Sequence, residues 1–208
     1  MGDRVLGQAV GTTVNEKAQG AFQNYTIVLE HMAARIPDRM EFSDAAVLPL
    51  GLGTAAGGLY GKRQLALVPP SHSPVARQEI VLVWGGSSSV GANAIQLAVA
   101  SGYTVITTAS ARNAEMLKSL GASAVFDHAS ASIVKDVVEA MHGRRLAGTL
   151  HATGDMVTSF AVVSLSDGVR LIATTLPPPV GHGLEALQGA LQVLKAGVSA
   201  AKVVVTVG

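Results

Sequence analysis

Ile80 to Asn113 reads IVLVWGGSSSVGANAIQLAVASGYTVITTASARN. An apolar run, Ile80 to Trp84, stops at the pair Gly85-Gly86. After three serines an apolar periodicity resumes through Val90, Ala94, Ile95, Leu97 and Ala98. Apolar run, glycine break and helical spacing predict a strand, a tight turn and a helix. Where such a unit holds a dinucleotide, its glycines serve a tight turn, close backbone approach to phosphate, and close helix–strand packing. Gly86 and Gly91 fit the first and last of these roles, and Ser89 stands where the second glycine would be. A serine there stays small and adds a hydroxyl donor. A helix starting near Ser89 or Val90 would offer unpaired N–H groups and the positive end of its dipole to a phosphate. The same turn also suits a strand-to-helix connection in another α/β fold.

The next strand narrows the ligand. Sites for NAD place an acidic residue at the end of the second strand, about 20 residues on, against the ribose diol. Here YTVITTASARN ends without an acid and carries Ser110, Arg112 and Asn113 instead. A cation with neutral donors suits a 2′-phosphate, which a carboxylate would repel, so NADPH is favoured over NADH. The alternative reading makes Arg112 a solvated first-turn residue and Ser110 its N-cap.

From residue 80 onward strands and helices alternate. Strands are expected at 80–84, 103–108, 124–127, 146–151 and 169–174, with helices at about 90–101, 112–120, 131–142 and 156–165, closed by Gly102 and Gly121. That rhythm predicts an α/β fold, a doubly wound parallel (Rossmann) sheet. The first 50 residues differ: RVLGQAVG and GAFQNYTIVL are short β-type runs between glycines, as in a small antiparallel sheet, and Ser43 is an N-cap candidate with Asp44 behind it. Residues 51–79 read as a glycine-rich helix and a proline-rich exposed connection.

Composition bounds the partners. The 208 residues are 49% hydrophobic but only 4% aromatic, so Val, Leu, Ile and Ala must build the core. A net charge of +1 without a basic run points away from nucleic acid and acidic membranes. The N-terminus has no signal-peptide pattern, and Asn93 and Gln96 interrupt the longest apolar run, so a cytoplasmic protein that does not enter the membrane is expected. With no cysteine, and six histidines lacking metal-ligand spacing, no metal site is expected. A serine-hydrolase elbow is not matched, because Ser89 has Gly91 after it but Ser87 before it.

AAVLPLGLGTAAGGLY, the glycine-turn stretch, LKSLGASAVFDH and the final GLEALQGALQVLKAGVSAAKVVVTVG resemble the medium-chain dehydrogenase/reductase superfamily. The branch they resemble is zinc-independent and fungal, and includes trans-acting enoyl reductases. GDRVLG and GAFQNYTIV are similar to the tail of that family's GroES-like catalytic domain. The resemblance implies cofactor pyrophosphate at Ser87, Ser88, Ser89 and Val90, between Gly86 and Gly91, and the 2′-phosphate at Ser110, Arg112 and Asn113. It also implies adenosine near His128, nicotinamide near Thr54, and the far side of that ring along Ala173, Thr174, Thr175 and Leu176.

The implied domains are a partial GroES-like remnant at 1–50, a connection at 51–79, a shortened dinucleotide domain at 80–182, and a returning helix and strand at 183–208. The departures are a missing longer N-terminal domain, Pro179 and Gly183 nearly adjacent where the family has a strand, loop and helix, and His151 in place of an Asp. The implied reaction is NADPH-dependent reduction of an activated alkene in an enoyl thioester, enone or quinone, without zinc; a polyketide synthase partner is implied by resemblance alone. The alternative is an inactive nucleotide-binding remnant. Tyr60 and Thr54 are the candidate hydroxyls near the cleft, with core packing and a helical-turn hydroxyl as their structural readings, and the proton donor stays open.

A shortened sheet of five parallel strands, paired at its end with residues 4–30, would leave a Val- and Ile-rich edge open to pairing between chains. Sizing the purified protein over a concentration series is expected to show rising association; a compact monomer throughout would contradict it.

Overall fold

A computed structural model describes residues 2–152, 156–169 and 171–174. In chain order the elements are β1 (Val5–Gly7), α1 (Gly11–Val14), β2 (Ala33–Arg35), α2 (Phe42–Ala46), α3 (Leu48–Tyr60), β3 (Glu79–Trp84), α4 (Ser89–Ala100), β4 (Thr104–Ala109), α5 (Ala114–Ser119), β5 (Ala124–Asp127), α6 (Ile133–Met141), β6 (Arg145–His151), α7 (Val157–Leu165) and β7 (Ile172–Thr174).

The five strands from β3 on form one parallel sheet in the order β5-β4-β3-β6-β7. The chain winds outward from β3 through β4 to β5, then crosses back to β6 on the other side of β3. The alternation of strand side chains explains why β3 is apolar without a break. Val81 and Val83 face one core with Ala55 and Leu59 of α3, Ala94, Ile95 and Ala98 of α4, and Leu117 of α5. Ile80, Leu82 and Trp84 face the other with Ile133, Val137 and Met141 of α6 and Val162 and Val163 of α7. A strand covered on both faces must be hydrophobic at every position. This is the doubly wound α/β fold, with helices on both sides of a parallel sheet.

Several expectations need adjusting. β1 does pair antiparallel, but with β2 (Val5 opposite Arg35) and not with residues 21–29. That segment forms no strand. Its Phe22, Tyr25 and Ile27 are exposed, and the Gln23 side-chain amide donates to the carbonyls of Lys17, Ala18 and Gly20, closing a loop in place of a ladder. Ser43 is not an N-cap, because α2 begins at Phe42 with Glu41 in the cap position, while Asp44 does lie in the first turn. The 112–120 helix divides into a 3-10 turn (Ala111–Asn113) and α5. β7 starts later than expected, since Val169 instead donates its N–H to Leu146 O. Gly102 and Gly121 follow α4 and α5 with left-handed φ of 85° and 102°. The strand at 202–207 and its pairing with residues 4–30 lie outside the described residues.

The chain divides into two compact units, one running to Gly53 and the other starting at Thr54. In the first, the Arg4 guanidinium donates to the carbonyls of Pro37, Asp38 and Met40 and lies 4.5 Å from the centre of the Phe42 ring, tying β1 to α2. The second contains the parallel sheet.

Thr149, in β6, is fully buried and its hydroxyl finds no partner among the described residues. A desolvated hydroxyl without a hydrogen bond is destabilising, and valine has the same shape. Thr149→Val is therefore expected to leave stability unchanged or raise it by about 1 kcal/mol, measured by denaturant unfolding; a loss of that size would reveal a bonded hydroxyl.

Candidate active site

The turn after β3 is built by hydrogen bonds to β4. Gly85 has φ +85°, which side chains rarely adopt. Its N–H donates to Thr108 Oγ1 at 3.0 Å, and the Gly86 N–H donates to Thr108 O at 2.9 Å. Ser88 is the N-cap of α4: its hydroxyl accepts the Gly91 N–H at 3.0 Å and donates to Gly85 O at 2.9 Å. The N–H groups of Ser87, Ser89 and Val90 find no hydrogen-bond partner among the described residues. Three free donors thus cluster at the positive end of a 12-residue helix, a place suited to an anion.

The glycine roles shift by one residue. The turn conformation belongs to Gly85, not Gly86. A Cβ on Gly86 would lie 2.2 Å from Thr107 Oγ1, so Gly86 is required by packing against β4. A Cβ on Gly91 would lie 2.3 Å from Gly85 O, which matches the close helix–strand packing expected of it. The Ser88 hydroxyl, already bonded twice inside the turn, shapes the site and is not an open donor.

Beside the turn lies a cleft of about 270 Å³. It brings together Ser87, Ser110 and His128 from three separate segments, together with Trp84, Gly85, Thr108, Ala109 and Thr158. The sequence assigns none of the last five to the site. Gly85 was legible as half of a glycine pair, and Thr108 and Ala109 as the strand end before Ser110. Thr158 carries no sequence signal, because α7 reaches the cleft only through the fold. Arg112 is exposed and makes no ion pair or hydrogen bond among the described residues. Asn113 is buried, so it is not the open donor expected. Ser110 stands at the N-cap position of the 3-10 turn but makes no side-chain cap bond, leaving its hydroxyl to the cleft it lines.

Thr54, within α3, does not line the cleft. The Tyr60 hydroxyl bonds to Leu97 O at 3.0 Å and Ser101 Oγ at 2.8 Å, and burial raises its pKa although the Ser101 bond opposes this. Tyr60 thus fastens α3 to α4, in line with core packing. His151, at the end of β6, is buried with Nδ1 3.0 Å from Ser159 Oγ. Ser159 donates its own hydrogen to Met156 O, so its oxygen accepts from Nδ1–H. Ala173 and Thr174 lie in β7 beside Leu150 and His151, while Thr175 and Leu176 fall outside the described residues.

Sheet order, the switch of direction beside β3, and a glycine turn at the strand ends define a Rossmann-type fold with its crevice where such folds bind ligands. The chain belongs to the zinc-binding dehydrogenase family of the medium-chain dehydrogenase/reductase superfamily: residues 89–185 match that family's profile, and a likeness over nearly the whole of this chain supports it. It is 40% identical over 260 aligned positions to the dehydrogenase azaJ of Aspergillus niger, covering 99% of this chain and 75% of the relative. Because this chain has only 208 residues, the relative carries internal segments that the chain does not match.

The trans-enoyl reductase himH of Aspergillus japonicus is 45% identical over 68% of this chain and 41% of its own length. Among solved structures, an alcohol dehydrogenase superfamily protein from Novosphingobium aromaticivorans is 26% identical with a TM-score of 0.66, over 94% of this chain and 57% of that one. The chain is thus an oxidoreductase-type protein of this superfamily. The family name implies zinc, but the chain has no cysteine, and no three His, Asp or Glu side chains converge among the described residues. The described residues do not fit a zinc centre.

Gly91→Ala would meet backbone that cannot move aside, so it is expected to cost about 1–3 kcal/mol. Gly57→Ala, in α3 with open space around the added methyl, is expected to gain about 0.5–1 kcal/mol. Thermal or denaturant unfolding of both variants checks the contrast; equal effects would contradict the packing account.

Proposed function

We propose that the chain is an NADPH-dependent reductase of activated carbon–carbon double bonds, in an enoyl thioester, enone or quinone. The observation that carries it is the trio of free N–H groups at Ser87, Ser89 and Val90 beside a cleft whose second-strand end bears Ser110 and no acid. The himH likeness points to the enoyl-reductase reaction.

These residues fit the cofactor. Ser87, Ser89 and Val90 would hold the pyrophosphate through the backbone, with Gly85 supplying the turn and Gly91 letting α4 approach. Ser110 would meet the ribose phosphate, and Arg112, exposed and unpaired among the described residues, is available to swing onto it. His128, half exposed at the cleft, would lie against the adenosine. NADPH supplies the hydride when bound. The protein's part is to fix the cofactor, and Trp84, buried at the cleft floor, helps to exclude water there. Tyr60 is not assigned the proton, because its bonds run to Leu97 of α4 and to Ser101, which caps that helix.

Trp84 is the sole tryptophan and lines the cleft, so its emission should be quenched as NADPH binds. Titration is expected to show tighter binding of NADPH than NADH, and Arg112→Ala should weaken NADPH alone, by about 1 kcal/mol for an exposed charge contact. Equal affinity for the two cofactors would remove the 2′-phosphate reading. NADPH oxidation with a panel of enones, quinones and enoyl thioesters tests the reaction; binding without turnover on any of them would favour the inactive-remnant alternative.

A further inference from the structure

We propose that Thr108 is the positioning residue of the phosphate turn, latching it to β4 through the bond between its hydroxyl and the Gly85 N–H. The parallel ladder between β3 and β4 runs in register as far as Val83 opposite Thr107. Beyond it the chain leaves the sheet, yet two successive N–H groups still return to one residue: Gly85 to Thr108 Oγ1 and Gly86 to Thr108 O. The turn then continues from Gly85 O to Ser88 and from Ser88 Oγ to the Gly91 N–H. A chain of hydrogen bonds therefore joins β4 to the first turn of α4, and the free N–H groups of Ser87, Ser89 and Val90 lie within it. Thr108 also lines the cleft between the turn and Ser110, so one side chain sets the spacing of the two regions that would meet the cofactor.

The carbonyl bond survives any substitution at this position, whereas the hydroxyl bond does not. Thr108 is fully buried and Gly85 is buried beside it, so without the hydroxyl the Gly85 N–H is left desolvated and unpaired. The turn then spends more time away from its binding geometry, and apparent affinity falls in proportion to the competent fraction. This rests on reading the turn as a dinucleotide-phosphate site, and one arm of the test is independent of that reading.

Thr108→Val keeps the shape and removes the acceptor, and Thr108→Ser keeps the acceptor. Thr149→Val makes the same chemical change in β6, on the far side of β3 from β4, at a hydroxyl without a partner among the described residues. In the cofactor-free protein, hydrogen exchange at the Gly85 amide is expected to rise about tenfold in Thr108→Val and to stay at the wild-type rate in the other two. The dissociation constant for NADPH is expected to rise about tenfold in Thr108→Val alone, with Thr108→Ser restoring it. Unchanged Gly85 exchange in Thr108→Val overturns the latch. So does equal weakening by Thr149→Val, which would mark a general effect of removing a buried hydroxyl from the sheet, or failure of serine to restore binding, which would assign the effect to the shape of the side chain. If the wild-type protein does not bind NADPH, the cofactor reading falls while the exchange arm still decides the latch. Should Thr108→Val not fold, Thr108→Ala against Thr108→Ser makes the same comparison.

Discussion

Helix α4 enters the sheet by resting its first turn directly on the backbone at the end of β3. At Gly91 there is no room for a single methyl group, because the Gly85 carbonyl oxygen would be 2.3 Å from it. That close approach sets how far the helix N-terminus projects beyond the sheet. With the helix held there, Ser88 caps it and three N–H groups remain free at its positive end. The same approach brings Ala94, Ile95 and Ala98 down onto Val81 and Val83, forming one of the two cores. Core packing and the anion-suited turn are therefore consequences of one close approach, and disturbing either disturbs both.

The opposite face of the sheet matters to the cleft in another way. Trp84 ends β3 on the side covered by α6 and α7, and Thr158 of α7 reaches the same cleft as Ser87. Next to Trp84 in the sheet, His151 is fixed by Ser159 of the same helix. The cleft is thus walled by the turn that precedes α4, through Ser87, and by α7, through Thr158. Ser110 and His128 come from the ends of successive strands, as expected for a crevice outside the carboxyl ends of a parallel sheet.

Much of this is legible in the sequence because its causes are local. The apolar run of β3, the glycine break, the periodicity of α4 and the glycines after the helices are short-range signals. So was the absence of an acid before Arg112. Local signals mislead where they compete with burial. Residues 21–29 have strand composition, but a strand needs a partner and a covered face, and Phe22 and Tyr25 have neither. Ser43 is a good cap by type, yet the helix starts one residue before it.

The sequence by itself determined the class of fold and the location of the turn, since periodicity and glycine placement act over a few residues. It also determined the family, through motifs spread along the chain. Only tertiary structure decided which glycine bends the chain and which merely packs. Gly85 and Gly86 are adjacent and identical as letters, and Thr107 and Thr108, more than twenty residues away, give each its role. The same holds for the hydroxyls: Ser87 opens to the cleft, Ser88 is bonded within the turn, and Tyr60 is bonded to α4. A side chain's availability depends on what the fold places within about 3 Å of it, and that distance is set by residues remote in sequence.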